Sequence, residues 1–258
     1  MSAGAEKTAD ATKAPLMEHL LELRSRLIKS FLALFLAFGV CYYFSDEIYN
    51  FLVRPLYEAL EGMEGRRMIF TGLAEAFFTQ LKVAFYAALF VAFPLISIQI
   101  WKFVAPGLYK NEKSAFLPFL IATPVLFTAG GALVYYFVIP LAWRFFLGFE
   151  QPGGEGTLPI ELEARVGEYL SLVIKLIFAF GISFQLPILL LLLNRAGIMS
   201  LENLKKGRRY AIVMAFAFAA IMTPPDVISQ IALGIPIVLL YELSIIAIQL
   251  TGKKKTDA

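Results

Sequence analysis

The feature that most constrains this chain is a 30-residue stretch without a single charge, from Ser114 to Trp143. A helix needs about 20 apolar residues to cross a hydrocarbon core of roughly 30 Å. Inside a bilayer, only helices and closed barrels satisfy their own backbone. Five more segments of the same kind follow from the sequence. The expected spans are about 27–44, 76–101, 116–143, 169–193, 210–223 and 228–250. Apart from Lys29 at the very start of the first, Lys82, Lys175 and Glu242 are the charges that interrupt them.

Composition closes off the other classes. Hydrophobic residues make up 59% of the 258, charged residues 17%, and the mean hydropathy is +0.72. A soluble domain carries about 25% charged residues. The single cysteine, Cys41, excludes an internal disulfide and a cysteine-based metal cluster. The single histidine, His19, excludes a multi-histidine zinc site. A net charge of +3 does not imply nucleic acid as a partner. The expected fold class is an all-α membrane protein: six transmembrane helices in a kinked, concave bundle, with both termini cytoplasmic. The expected organisation is a disordered cytoplasmic tail over 1–16, a six-span membrane domain over 17–250 and a basic cytoplasmic tail over 251–258. No cleaved signal peptide is expected, because residues 1–26 are polar and lack a small-residue cleavage site after a short apolar core.

Charge sets the expected orientation. Six spans place both termini on one side, and that side holds sixteen of the 23 Lys and Arg residues. The far-side loops hold five: Arg54, Arg66, Arg67, Arg144 and Arg165. The excess of positive charge in short loops marks the cytoplasmic face. The far-side loops run from Ser45 to Glu75 and from about Gly148 to Glu168, too short for a separate soluble domain.

The spans carry further information. The fifth stops at Pro224-Pro225, so its 14 residues cover only about 21 Å. Either the bilayer thins there or neighbouring subunits cover the mismatch. Lys82 and Lys175 lie about 9 Å in from the far side. At that depth the aliphatic stem reaches the interface, so both are expected to snorkel. Glu242 lies about 12 Å from the cytoplasmic end of the last span, and Gln185 falls at a similar depth. The pair reads either as a polar layer open to the cytoplasm or as a structural hydrogen bond between helices. Prolines 94, 118, 124, 140, 187 and 236 lie in or beside spans and are expected to kink them.

On the expected cytoplasmic face, Leu16, Leu20, Leu23 and Leu27 recur at helical spacing ahead of the first span. Glu18, Glu22, Ser25 and Lys29 form the opposing stripe, which reads as an interfacial amphipathic helix. Glu22 can pair with Arg26 at i,i+4. His19 reads as an interfacial side chain. Glu112 is the one acid in a loop that otherwise carries Lys102, Lys110 and Lys113. It is either a solvated residue or a carboxylate receptor for a guanidinium fork. Catalytic motifs are absent: no G-x-x-x-x-G-K-[ST], H-E-x-x-H or G-x-S-x-G occurs. No enzyme activity, cofactor or metal is expected.

Five stretches in order across about 17–250 carry a family resemblance. They are His19-Leu-Leu-Glu-Leu-Arg24, Arg54-Pro-Leu56, Phe103-Val-Ala-Pro-Gly-Leu-Tyr-Lys-Asn-Glu112, Tyr169-Leu with Ala179-Phe-Gly-Ile-Ser-Phe-Gln-Leu-Pro187, and Thr223-Pro-Pro-Asp-Val-Ile-Ser-Gln230 followed by Ile235-Pro236. The chain resembles the TatC family, the receptor subunits of the twin-arginine protein translocase. The resemblance implies recognition, at the cytoplasmic face, of signal peptides bearing a consecutive arginine pair. Carried over by motif, Glu22 and Glu112 are the recognising carboxylates. Arg24, Phe103, Pro106, Leu108 and Tyr109 belong to the same surface. Thr223 and Gln230 match a polar patch where single-span partners of the TatA and TatB type dock, with Gln185 and Glu242 as further docking groups. Pro55 and Asp226 match positions that order the far-side cap. The implied setting is the bacterial inner membrane. The implied assembly is a multimeric complex that exports folded proteins using the proton gradient. Many family members carry Glu where this chain has Gln185, which sets aside a proton-binding role there. The competing reading is a small-solute secondary transporter using Glu242 and Gln185, although the two halves of the chain share no repeat.

Overall fold

The structure is a computed structural model. It describes residues 3–253 apart from 62, 64, 109–116, 155, 224 and 225; the side chains of 3–16, 18, 104–108, 117 and 251–253 also lie outside the description. The described elements are helices α1 (Ala3–Tyr43), α2 (Ser45–Ala59), α3 (Glu75–Leu108), α4 (Leu117–Leu133), α5 (Ile139–Leu147), α6 (Val166–Ser183), α7 (Leu186–Arg195), α8 (Leu201–Met222) and α9 (Val227–Lys253). A π-helical turn, Val134–Val138, joins α4 to α5. Among the described residues the β-structure is limited to isolated bridges in the loops.

Five segments are long and apolar enough to cross a membrane: 19–43, 75–103, 118–147, 166–195 and 227–250. The third runs through α4, the π-turn and α5, and the fourth through α6 and α7. The sixth crossing is α8. Its first half carries Lys205, Lys206, Arg208 and Arg209, which leaves only Tyr210–Met222 uncharged. The short fifth span thus corresponds to the second half of a 22-residue helix. The helix expected to lead into the first span is continuous with it, α1 running from Ala3 to Tyr43. Ala, Lys, Glu and Leu dominate that stretch, and all favour helix.

Two prolines fall at junctions and the others are absorbed. Pro187 lacks an N–H for the carbonyl of Ser183, and the chain passes from α6 to α7 through Phe184 and Gln185. Pro140 follows the π-turn, where the Ile139 N–H reaches back five residues to the Val134 carbonyl. Pro94, Pro124 and Pro236 lie inside continuous helices. The helices are therefore interrupted beside Pro140 and Pro187 and continuous through Pro94, Pro124 and Pro236.

Close helix contact depends on glycine. A Cβ on Gly130 of α4 would sit 2.7 Å from the Phe180 carbonyl oxygen of α6. A Cβ on Gly181 of α6 would sit 2.6 Å from the Phe127 ring of α4. Small residues let backbones approach where lipid offers no hydrophobic drive. The buried core gathers Leu56, Val134, Ile139, Leu170, Val173 and Phe180 around this crossing. By contrast α1 packs mainly on α3 and leaves Phe31, Phe35 and Leu36 outward, the surface a lipid-facing helix requires.

The end of the bundle away from the termini, called distal here, is closed by its loops. The Ile69 N–H donates to the Ala164 carbonyl at 3.0 Å, and the Val166 N–H returns to the Ile69 carbonyl at 2.9 Å. Glu75, at the start of α3, accepts from the N–H groups of Thr71, Gly72 and Gly167. Arg66 and Glu150 form a largely buried ion pair at 2.7 Å, and Glu150 also accepts the Leu162 N–H at 2.8 Å.

Candidate functional site

At the proximal end, α1 and α3 bring three expected residues together. The His19 and Phe103 rings stack with centroids 4.3 Å apart. One helical turn on, Glu22 is partly exposed and accepts from Arg26 Nη2 at 3.1 Å. Arg26 Nη1 donates to Gln99 Oε1 on α3 at 3.3 Å. The i,i+4 pairing foreseen for Glu22 is therefore present. A carboxylate offers about four lone-pair sites, so one guanidinium nitrogen leaves acceptor capacity. Arg24 is exposed. Glu112 and Tyr109, and the side chains of Pro106 and Leu108, lie outside the described residues.

Gln99 was not foreseen as part of this network. Its signal is a lone amide near the end of an otherwise apolar, uncharged run. His19 was foreseen only as an interfacial side chain; it is a packing partner of α3.

The polar groups of the spans are held differently from expectation. Gln185 and Glu242 share no hydrogen bond among the described residues. Glu242 pairs with Arg208 at 2.8 Å, tying α9 to α8. Gln185 donates Nε2 to the carbonyls of Thr123, at 3.1 Å, and Gly181, at 3.3 Å. Its Oε1 is buried without a hydrogen-bond partner. It lines a cavity of about 600 Å³ together with Trp101, Ser183, Phe218 and Tyr241. Lys82 and Lys175 do not simply snorkel. Lys82 donates to the Ser171 hydroxyl and Lys175 to the Ile221 carbonyl, both at 2.7 Å. The second bond has a local cause. Ile221 lies in the last turn of α8, whose carbonyls have no helical partner, and a cation suits that end of a helix.

Around the distal ends of α8 and α9, Thr223 is buried and donates its hydroxyl to the Ala219 carbonyl at 2.9 Å. Gln230 donates to the Phe216 carbonyl at 3.3 Å. Asp226 caps α9 by accepting the Ser229 N–H at 2.6 Å, while its second oxygen is buried without a partner. Pro55 is buried inside α2. It removes the N–H that the Phe51 carbonyl would otherwise receive, and the Tyr135 hydroxyl supplies that bond at 2.7 Å. The next carbonyl, Leu52, accepts the Tyr169 hydroxyl at 2.8 Å.

The fold and these contacts define a polytopic α-helical membrane protein. Residues 18–236 match the family described as Sec-independent protein translocase protein (TatC). The Sec-independent protein translocase protein TatC of Magnetococcus marinus is 55% identical over 233 residues, covering 90% of this chain and 83% of that protein. The Escherichia coli protein of the same name is 38% identical over 231 residues, covering 90% and 86%. A crystal structure of the twin arginine translocase receptor TatC in DDM matches with a TM-score of 0.76 at 38% identity, covering 89% of this chain and 98% of that one. The chain belongs to the TatC family. It is a component of the twin-arginine protein translocase and not an enzyme. The solute-transporter reading finds no support in these likenesses.

Proposed function

We propose that this chain is the signal-peptide receptor of the translocase, with both termini in the cytoplasm of a bacterial inner membrane. Its proximal surface binds signal peptides that carry a consecutive arginine pair, and the complex exports folded proteins using the proton gradient. The observation that carries the reading is the stacking of His19 on Phe103. It fixes Glu22 beside the end of α3, next along the chain to the loop that bears Glu112. Two guanidinium forks require fixed carboxylates, and a lysine ammonium matches that geometry poorly. Arg24, Pro106, Leu108 and Tyr109 complete the surface in this reading. The concentration of Lys and Arg on the proximal side supports the orientation.

Single-span partners of the TatA and TatB type dock on the lipid-facing side of the bundle, and copies of this chain associate in a multimeric receptor. Gln185, Glu242, Thr223 and Gln230 are the proposed docking groups. The unpartnered Gln185 Oε1 beside an open cavity supports the first of them. Pro55 and Asp226 order the distal cap. Glu112→Lys is the test in cells. Loss of export of folded twin-arginine substrates, with membrane insertion of the receptor intact, is expected; normal export would remove Glu112 from the site.

A further inference from the structure

A second cavity, of about 340 Å³, lies in the distal half of the bundle, away from every group assigned above to signal or partner binding. Its floor is Val83, Tyr86, Ile174 and Phe178, and α2 roofs it through Ile48 and Phe51. Its open rim consists of Val91, Thr128, Tyr136 and Phe51, all exposed in the chain. Along α3 the lining runs from Val83 to Val91, about 12 Å at the helical rise. The lining is almost wholly apolar and the groove opens sideways, a form that suits an alkyl chain.

Tyr135 and Tyr136 line the groove from the π-turn, within the third span. Arg54 lies one turn along α2 from Phe51, which lines the groove. Its Nε donates to Glu58 at 2.8 Å. The terminal nitrogens of Arg54 carry no hydrogen bond to a described residue, and the side chain is exposed. An alkyl groove that ends at an outward guanidinium matches a lipid with an anionic head.

We infer that this groove is a binding site for one anionic phospholipid of the distal leaflet, its acyl chain between α3 and α4 and its phosphate on Arg54. Glu58 already pairs with Arg54, so the headgroup contributes selectivity and the acyl chain most of the affinity. The occupied groove fills the gap between the α1–α3 pair and the α4–α6 pair.

Native mass spectrometry of the full-length chain tests this, with dioleoylphosphatidylglycerol and dioleoylphosphatidylcholine titrated separately. One phosphatidylglycerol is expected to bind first and in preference to phosphatidylcholine. Arg54→Gln is expected to weaken phosphatidylglycerol about fivefold, the effect of one basic side chain at an anionic surface, and to erase the preference. Val91→Phe and Thr128→Phe, on the open rim of two different helices, are expected to weaken both lipids. Arg67→Gln, an exposed distal arginine, is expected to change neither. Unaltered binding in the two rim variants would overturn the site, and an unaltered preference in Arg54→Gln would overturn the headgroup assignment. A photoreactive side chain at position 91 that captures a polypeptide instead of lipid in native membranes would overturn the occupant.

Discussion

The Tyr135 hydroxyl donates to the Phe51 carbonyl at 2.7 Å, and it does so because Pro55 cannot. A residue 80 positions downstream of a proline therefore completes the hydrogen bonding of α2. Tyr135→Phe leaves a part-buried carbonyl unpaired, at a cost of about 1 kcal/mol. Thermal unfolding in detergent checks this. Pro55→Ala restores the N–H, so Tyr135→Phe is expected to cost much less in that background. An equal loss in both backgrounds would show that the tyrosine acts through its ring alone.

The α4–α6 crossing gives a second expectation. Gly130→Ala places a methyl 2.7 Å from the Phe180 carbonyl oxygen, and backbone cannot move aside cheaply. Gly181→Ala meets the Phe127 ring at 2.6 Å. Each is expected to destabilise by about 1–3 kcal/mol, the usual range for overpacking. Gly39→Ala serves as the control, since nothing lies within 4 Å of its Cβ position. Parallel thermal melts of the three variants decide the matter.

The distal cap depends on the pair of Arg66 and Glu150, whose side chains are only 18% and 16% exposed. Glu150→Gln leaves Arg66 short of a counter-charge, with Glu161 3.9 Å away as a weaker replacement. Removing one partner of a buried pair costs up to about 3–5 kcal/mol, and partial exposure lowers that here. Limited proteolysis across 148–165 is expected to accelerate in Glu150→Gln, in Arg66→Ala and in the double variant to a similar degree. Additive acceleration would mean that the two residues act separately.

Most of the architecture is legible in the sequence, for a physical reason. Long uncharged runs can only be spans, and helix is the only way to satisfy the backbone of a single span. The fate of the charges within spans is not legible in the same way. Lys175 bonds the Ile221 carbonyl across 46 residues because the last turn of α8 leaves it without a helical partner, a relation that appears only once α6 and α8 are packed. Gln185 and Glu242 share a depth in the sequence, yet they bond to different neighbours because depth does not specify rotation about the helix axis. The pairing of Glu22 with Arg26 was readable from i,i+4 spacing, whereas the Gln99 contact depends on how α1 crosses α3.

The contact of His19 with Phe103 holds Glu22 in place, so its loss is expected to act on recognition more than on folding. His19→Ala and Phe103→Ala each remove a stacked pair worth about 0.5–1.5 kcal/mol beyond area. Each is expected to weaken twin-arginine peptide binding several-fold, with little further loss when they are combined. A calorimetric titration of the three variants reads this coupling. Fully additive losses would place the two rings in separate contacts with the peptide.

Site-specific photocrosslinking from positions 22 and 112 to a signal peptide tests the central claim most directly. An Arg-Arg peptide and its Lys-Lys counterpart are compared on the same membranes. Crosslinks from both positions that depend on Arg-Arg are the expected result. Equal crosslinking of the two peptides, or none from either position, would contradict a receptor built on Glu22 and Glu112.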